Sequence, residues 1–84
     1  MKTHELKLNK QFEKAVWDGR KPFEIRKDDR DYQVGDHIRF YVVDEKGNGW
    51  ASLLSKIEFE ITYILTGWGL EPGYVALGIR EVEA

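Results

Sequence analysis

The sequence predicts a small α+β protein, in which a β-barrel of five to six short strands is covered by one N-terminal helix at about residues 10–18. Short segments of alternating apolar and polar residues recur along the chain, and turns rich in glycine, proline, aspartate and asparagine separate them. One early segment has helical periodicity instead. Because 84 residues provide for one core, residues 1–84 are predicted to form a single domain, and a closed sheet would leave no exposed edge strands.

The N-terminal segment predicts a strand followed by the helix. The alternation over residues 3–8 predicts one inward face, formed by His4, Leu6 and Leu8. Asn9 can cap the helix, and Gly19 can end it in the left-handed conformation. The face of the helix predicted to lie on the barrel consists of Phe12, Ala15 and Val16, with Trp17 beside it.

Four further strands are predicted over residues 23–27, 37–43, 57–65 and 74–82. Their predicted inward residues are Phe23 and Ile25; Ile38, Phe40 and Val42; Ile57, Phe59, Ile61, Tyr63 and Leu65; and Val75, Leu77 and Ile79. The stretch over residues 50–56 is ambiguous between a strand and a loose turn, so the number of strands stays at five to six.

The charge of the chain restricts the kinds of partner it is expected to bind. There are 13 basic and 15 acidic residues, a net charge of −2, which argues against indiscriminate coating of nucleic acid. The first 30 residues nevertheless contain nine basic and six acidic side chains, so a local basic site is expected in this half. The sequence has no cysteine, no long apolar run and no familiar cofactor or metal motif. We therefore expect a cytoplasmic protein with no membrane contact, cofactor or metal.

Residues 19–26 contain the strongest candidate site, because one glycine, three cations and one carboxylate occur within eight residues. Glu24 and Arg26 are two apart on a predicted strand, which places them on the same face, roughly 6.5–7 Å apart. Strict alternation would place Lys21 on the opposite face, beside Phe23. Lys21 can therefore meet Glu24 only if the turn at Gly19 redirects it.

Two interpretations of this cluster are open from the residues alone. If the three groups meet, Arg26 and Lys21 can hold a phosphate or a carbonyl group, and Glu24 can accept from a base edge or act as a general base. The alternative is a solvated Lys21 beside a surface ion pair of Glu24 and Arg26, which would contribute under about 1 kcal/mol.

Gly19, Lys21, Glu24 and Arg26 form the pattern G-x-K-x-x-E-x-R, which resembles the signature of the ASCH domain (activating signal cointegrator homology), a branch of the PUA-like superfamily. The similarity extends along the chain, most closely to a small bacterial and phage subfamily of ASCH-related proteins. The segments that support it are residues 4–7, 29–32, 34–36, 63–65 and 73–79.

The resemblance implies a PUA-like β-barrel that binds RNA or a nucleotide-like ligand in a cleft lined by Lys21, Glu24 and Arg26. Some ASCH-type proteins are small amidohydrolases that remove the acetyl group from acetylcytidine with a lysine, a threonine and a distant glutamate. This chain has the lysine, but Glu24 stands where those enzymes have the threonine. The first hypothesis is therefore a binding module, and the alternative is a hydrolase of a modified nucleoside with Lys21 and Glu24 as its catalytic pair.

Other residues allow a functional and a structural interpretation. Trp68, between two glycines, is either a stacking platform for a base or a plug that closes one barrel end. His4 is expected to pack under the barrel and His37 to be exposed on a strand, because their spacing does not suggest acid–base catalysis. The aspartates between residues 28 and 36 are expected to form a solvated turn, since they lack the ligand pattern of a calcium loop.

Overall fold

The computed structural model describes residues 1–83, which form one curled sheet of five strands with one short α-helix. The strands are β1 (Thr3–Asn9), β2 (Phe23–Lys27), β3 (His37–Val43), β4 (Glu58–Leu65) and β5 (Tyr74–Glu81). The helix α1 spans Glu13–Trp17, and two 3-10 turns span Lys10–Phe12 and Leu53–Lys56. No helix within these residues is long and apolar enough to cross a membrane.

The strand order is β1-β3-β4-β5-β2, so β1 and β2 are the two edges of the sheet. β1 runs parallel to β3, and the other neighbouring pairs are antiparallel. The sheet curls around one core without backbone pairing between β1 and β2 among the named strands, which makes it a half-barrel rather than a fully closed barrel. The core residues are Leu6, Leu8, Val16, Tyr32, Ile38, Phe40, Val42, Leu54, Phe59, Ile61, Val75, Leu77 and Ile79.

The predicted inward faces of β1, β3 and β5 are confirmed, because their alternating apolar residues are buried. His4 is buried as predicted, with its ring 4.8 Å from that of Tyr32. The Nε2 atom of His4 lies 2.8 Å from Oδ2 of Asp36, a residue that is also buried. The aspartate next to β3 thus fixes the start of β1 to the rest of the sheet.

The N-terminal helix is shorter than the predicted span of residues 10–18. Asn9 does accept a hydrogen bond from the amide of Gln11, at 3.0 Å, but the turn it caps is a 3-10 turn rather than an α-helix. On the predicted core face only Val16 is buried, whereas Phe12 is exposed and Trp17 is half-exposed. Only five residues form α-helix, which is too short to cover the barrel with a continuous apolar face.

The prediction for the inward face of β2 is wrong. Phe23 and Ile25 are exposed, whereas Glu24 is 3% exposed and points into the half-barrel beside Leu77 of β5. The pattern misled because this strand is an edge. One face of an edge strand can place charges inside when they pair with each other, and its apolar side chains then lie on the outer face.

A bulge in β4 changes the second half of the predicted alternation in that strand. The register to β5 shifts between Ile61 and Tyr63, so Ile61 faces the core, whereas Tyr63 and Leu65 lie on the outer face. The bulge lies opposite Gly78, where a β-carbon would be 3.1 Å from Oγ1 of Thr62. A side chain at position 78 would therefore require Thr62 to shift by a few tenths of an ångström.

The structure decides the two segments whose interpretation the sequence left open. Residues 50–56 contain the 3-10 turn and no named strand, so the strand number is five. Trp68 is 90% exposed, which excludes the core-plug interpretation. Its backbone has a φ of +52°, between two glycines that are also left-handed.

Candidate functional site

The candidate site is a cleft at the open seam of the sheet, between the edges of β1 and β2. It has a volume of about 500 Å³, which is within the range of small-ligand pockets. Its lining residues are Lys7, Leu8, Asn9, Phe12, Lys21, Phe23, Glu24, Ile25 and Arg26. Three of the predicted ligand-binding residues, Lys21, Glu24 and Arg26, therefore lie in one cleft.

Lys21 is redirected toward Glu24, as the sequence argument required. The left-handed Gly19, with a φ of +81°, follows the helix, and the amide of Lys21 then donates to the carbonyl of Ala15 at 3.0 Å. This turn brings Nζ of Lys21 into direct contact with Oε2 of Glu24 and to 3.0 Å from the carbonyl oxygen of Phe23. The geometric prediction that the ammonium and the carboxylate meet is confirmed.

Arg26 completes the cluster and also joins the two edges of the sheet. Its Nε lies 3.2 Å and its Nη2 3.1 Å from Oε1 of Glu24. The same Nη2 atom donates to the backbone carbonyl of Lys7 on β1. Further along, Nη1 of Arg30 donates to the carbonyl of Glu5 at 2.9 Å. Two guanidinium groups thus occupy carbonyls of the β1 edge, where a further strand would otherwise pair.

Glu24 is the buried centre of the cluster. Each of its carboxylate oxygens already accepts from a cation, Oε2 from Lys21 and Oε1 from Arg26. Its side chain is 4% exposed, whereas those of Lys21 and Arg26 are 18% and 23% exposed. A molecule that enters the cleft therefore reaches the two cations more readily than the carboxylate, which holds both of them in position.

The walls of the cleft combine positive charge with aromatic rings. Nζ of Lys21 is 5.1 Å from the ring centroid of Phe12 and 5.2 Å from that of Phe23, within the range of a cation–π contact. Lys7 adds a third cation to the lining, against Glu24 as the single carboxylate. The cleft is therefore net positive in a chain whose net charge is −2, an arrangement that favours an anionic ligand with an apolar, planar part.

The remaining predicted site residues lie outside the cleft lining. Gly19 provides the turn behind Lys21, and Trp68 is in the loop between β4 and β5. His37 is half-buried, with Nδ1 3.1 Å from Oε2 of Glu58 rather than free in solvent. Within residues 1–83, His, Asp and Glu side chains do not form any group of three or more that could hold a metal ion.

Sequence reasoning missed six residues of the cleft: Lys7, Leu8, Asn9, Phe12, Phe23 and Ile25. The charge bias of the first 30 residues was a signal for Lys7, but nothing local places β1 against β2. That contact depends on the strand order, in which the two edges approach each other across the open seam. Phe12 lies in the cleft because the 3-10 turn leaves its ring outside the core.

Fold and site together define a small half-barrel protein with a positively charged cleft at its seam. The model of a family described as a domain of unknown function, DUF3850, matches residues 3–79. This match includes nearly the whole chain, and the protein therefore belongs to the DUF3850 family. A search of curated proteins found no match.

Proposed function

We propose that this protein binds RNA or a nucleotide, and that it holds one or a few bases in the cleft between β1 and β2. The observation that carries the proposal is the composition of that cleft, in which Lys7, Lys21 and Arg26 stand beside the rings of Phe12 and Phe23. A nucleotide has the two complementary features, a negative phosphate and a planar base. Cations with stacking surfaces are the usual combination for such ligands.

In this proposal Lys21 and Arg26 contact the phosphate or a base carbonyl. Glu24, which is more deeply buried than either cation, orients both of them. Glu24 can reach a base edge only if Lys21 or Arg26 moves aside, because its side chain is 4% exposed and both cations contact its oxygens. The G-x-K-x-x-E-x-R pattern and the barrel-like sheet support a relationship to the ASCH and PUA-like proteins as part of the same proposal.

The direct contact between Lys21 and Glu24 also favours a second candidate, the hydrolysis of an acylated nucleoside. A lysine and a glutamate in contact can hand a proton between an attacking water and a leaving group. This candidate ranks second because Arg26 binds the same carboxylate, which leaves Glu24 less free to accept a proton from water.

Binding is tested by titration of the protein with nucleoside 5′-monophosphates and RNAs of two to four nucleotides, followed by calorimetry. We expect Lys21→Ala and Arg26→Ala each to weaken binding at least about fivefold, since each removes one charge-assisted bond. Lys46→Ala and Arg39→Ala are the matched controls, because both cations are exposed and lie outside the cleft lining. Arg26→Lys keeps the positive charge but loses the guanidinium that bonds both Glu24 and the carbonyl of Lys7. Its affinity therefore separates the loss of charge in the cleft from the loss of the bond across the seam.

The proposal is wrong if the wild type binds a ligand of this panel and neither cleft substitution changes the affinity, or if it binds none of them. Incubation with N-acylated nucleosides, analysed for released carboxylic acid, decides between the two candidates. Turnover that Glu24→Gln abolishes would establish the hydrolase, and tight binding without turnover would exclude it.

A further inference from the structure

The outer face of the sheet next to the cleft is apolar and is not covered by any other element of the described chain. β2, β5 and β4 turn a continuous row of side chains outward, and the register places Phe23 and Tyr63 on either side of Gly78. Two residues further along these strands, Ile25 of β2 and Leu65 of β4 lie on either side of Ala76 of β5. Tyr63 is 65% exposed, Ile25 53% and Phe23 43%, and a contiguous exposed apolar patch of this kind is typical of an interaction surface.

This surface, defined by Phe23, Ile25, Tyr63, Leu65, Tyr74 and Ala76, continues directly from the cleft. Phe23 and Ile25 belong to both, because they line the cleft and stand on the outer face of β2. A molecule that leaves the cleft over β2 therefore meets Phe23 first and Tyr63 next, two strand spacings or about 9.5 Å further on. The cleft and the outer face therefore form one continuous surface, the path that an extended ligand can follow.

The charges along this path favour a polyanion over an acidic or neutral protein surface. On the outer face, the stretch considered begins at the pair of Lys27 and Tyr74 and ends at Phe23 and Tyr63. Its outward side chains include one cation, Lys27, and no carboxylate. Beyond the Phe23 and Tyr63 end the next outward carboxylate, Glu60, is neutralised by Arg80 at 3.1 Å, whereas Asp28 and Glu71 are exposed beyond the Lys27 and Tyr74 end. The net positive cleft lies where the path begins, beside β2.

Trp68 gives independent support, because its placement is unfavourable for the free protein. The residue is 90% exposed and adopts a left-handed backbone that is unfavourable for a bulky side chain. The loop that contains it connects the end of β4 at Leu65 with the start of β5 at Tyr74, at the margin of the apolar surface. A tryptophan held outward at this margin can stack on a base at the end of the path.

We propose that a single strand of RNA runs from the cleft across the outer face of β2, β5 and β4, and that its bases lie on Phe23, Tyr63 and Trp68. The inference rests on the proposed function, because the cleft holds the first nucleotide of that strand. It adds that the natural ligand is a chain of several nucleotides rather than a mononucleotide. Stacking on ring faces tolerates any base, so selectivity arises in the cleft.

The test compares nucleoside 5′-monophosphates with the corresponding RNA homo-octamers by fluorescence anisotropy at fixed salt. We expect the best octamer to bind at least about tenfold more tightly than its monophosphate. Tyr63→Ala and Trp68→Ala should remove most of that gain and leave the affinity for the monophosphate unchanged. The matched control is Tyr41→Ala, since Tyr41 is 59% exposed on the outer face of β3 and belongs neither to the cleft lining nor to the apolar surface.

Four results would overturn the inference. If octamer and monophosphate bind equally well and Lys21→Ala weakens both, the cleft functions alone and only this extension fails. If Tyr41→Ala weakens the octamer as much as Tyr63→Ala, the strand follows another path. If the protein is a dimer by sedimentation and Tyr63→Asp makes it a monomer, the apolar surface joins two copies of this chain. Absence of binding to any RNA or nucleotide would refute this inference together with the proposed function.

Discussion

Glu24 shows how one residue can connect the fold with the candidate site. A carboxylate with a side chain only 4% exposed is expensive to bury unless cations compensate it, and both Lys21 and Arg26 do so. The cluster therefore fixes the inward face of β2 and, at the same time, presents two oriented cations to the cleft. Loss of Glu24 would leave both cations without their common partner, so its effects on folding and binding are expected to be coupled.

Trp68 differs from Glu24, because its conformation does not benefit the fold. Its φ of +52° lies in the left-handed region, and its ring gains little from burial at 90% exposure. For a non-glycine residue this conformation is unfavourable by about 1–2 kcal/mol. The contact with a base proposed above gives a reason for this placement.

Trp68→Asn is therefore expected to stabilise the protein by about 0.5–1 kcal/mol, because asparagine tolerates the left-handed conformation and little buried area is lost. Urea unfolding measures the change in the free energy of unfolding. Trp50→Asn is the control, since Trp50 has no positive φ and its ring lies 4.3 Å from Nζ of Lys10. A lower stability for Trp68→Asn than for the wild type would show that the ring contributes to the fold.

At the scale of elements, Asp36 holds the start of β1 against β3. Its carboxylate accepts from the His4 ring at 2.8 Å and from the amides of Lys2 and Gln33, each at 3.1 Å. Burial alone would raise the pKa of Asp36, but the hydrogen bonds from His4, Lys2 and Gln33 outweigh it and lower the pKa below the usual 3.8. The ionised carboxylate is thus the form that the fold stabilises.

This lowered pKa predicts a specific acid sensitivity. Because the folded pKa is below the unfolded one, the contribution of Asp36 is fully present above about pH 4 and is lost as the pH falls through the folded pKa. Asp36→Asn should lower the free energy of unfolding at pH 7 by about 1–3 kcal/mol, since an amide cannot accept all three bonds. The difference from the wild type should shrink below pH 4.

The pH dependence is measured by urea unfolding between pH 2.5 and pH 7, with Glu71→Gln, at an exposed carboxylate, as the control. The control should follow the wild type throughout. A constant difference between Asp36→Asn and the wild type over this range would contradict the assignment of acid sensitivity to Asp36.

At the scale of the whole molecule, the half-barrel is held together at its seam by side chains. β1 and β2 are both edges, and the bonds across the gap come from Arg26 to the carbonyl of Lys7 and from Arg30 to the carbonyl of Glu5. Occupied carbonyls are less available for pairing with a strand of another molecule. The seam therefore leaves room for a cleft. At the same time, the carbonyls of Lys7 and Glu5 are occupied and less available to a strand of another molecule.

Arg30→Ala tests this role of the seam without touching the cleft lining. We expect it to reduce the free energy of unfolding by about 1 kcal/mol, because a bond between two distant segments is lost. Arg20→Ala is the matched control and should be nearly neutral, since within residues 1–83 the side chain of Arg20 bonds only to Asp18 of its own turn, at 2.9 Å. Equal effects of the two changes in urea unfolding would mean that the Arg30 bond does not stabilise the seam.

Much of the fold could be predicted, because β1, β3 and β5 follow the simple alternation of half-buried strands. The prediction failed where a tertiary contact overrides this pattern. In β2, the Glu24 cluster reverses the apparent apolar face, and in β4 the bulge opposite Gly78 moves Tyr63 outward. The three charged groups of the site were found from their spacing, but their depth was not, because burial depends on strands distant in sequence.

The amino-acid order by itself predicted the class of fold and the turn at Gly19, because alternation and turn residues are local signals, but it left two interpretations open for Lys21 and Glu24. Only the tertiary structure decided that the sheet stays open between β1 and β2, that Lys7 and Phe12 join the cleft, and that an apolar face continues from it. The physical reason is that strand order and register are set by the shared burial of side chains from all five strands, which no local pattern records.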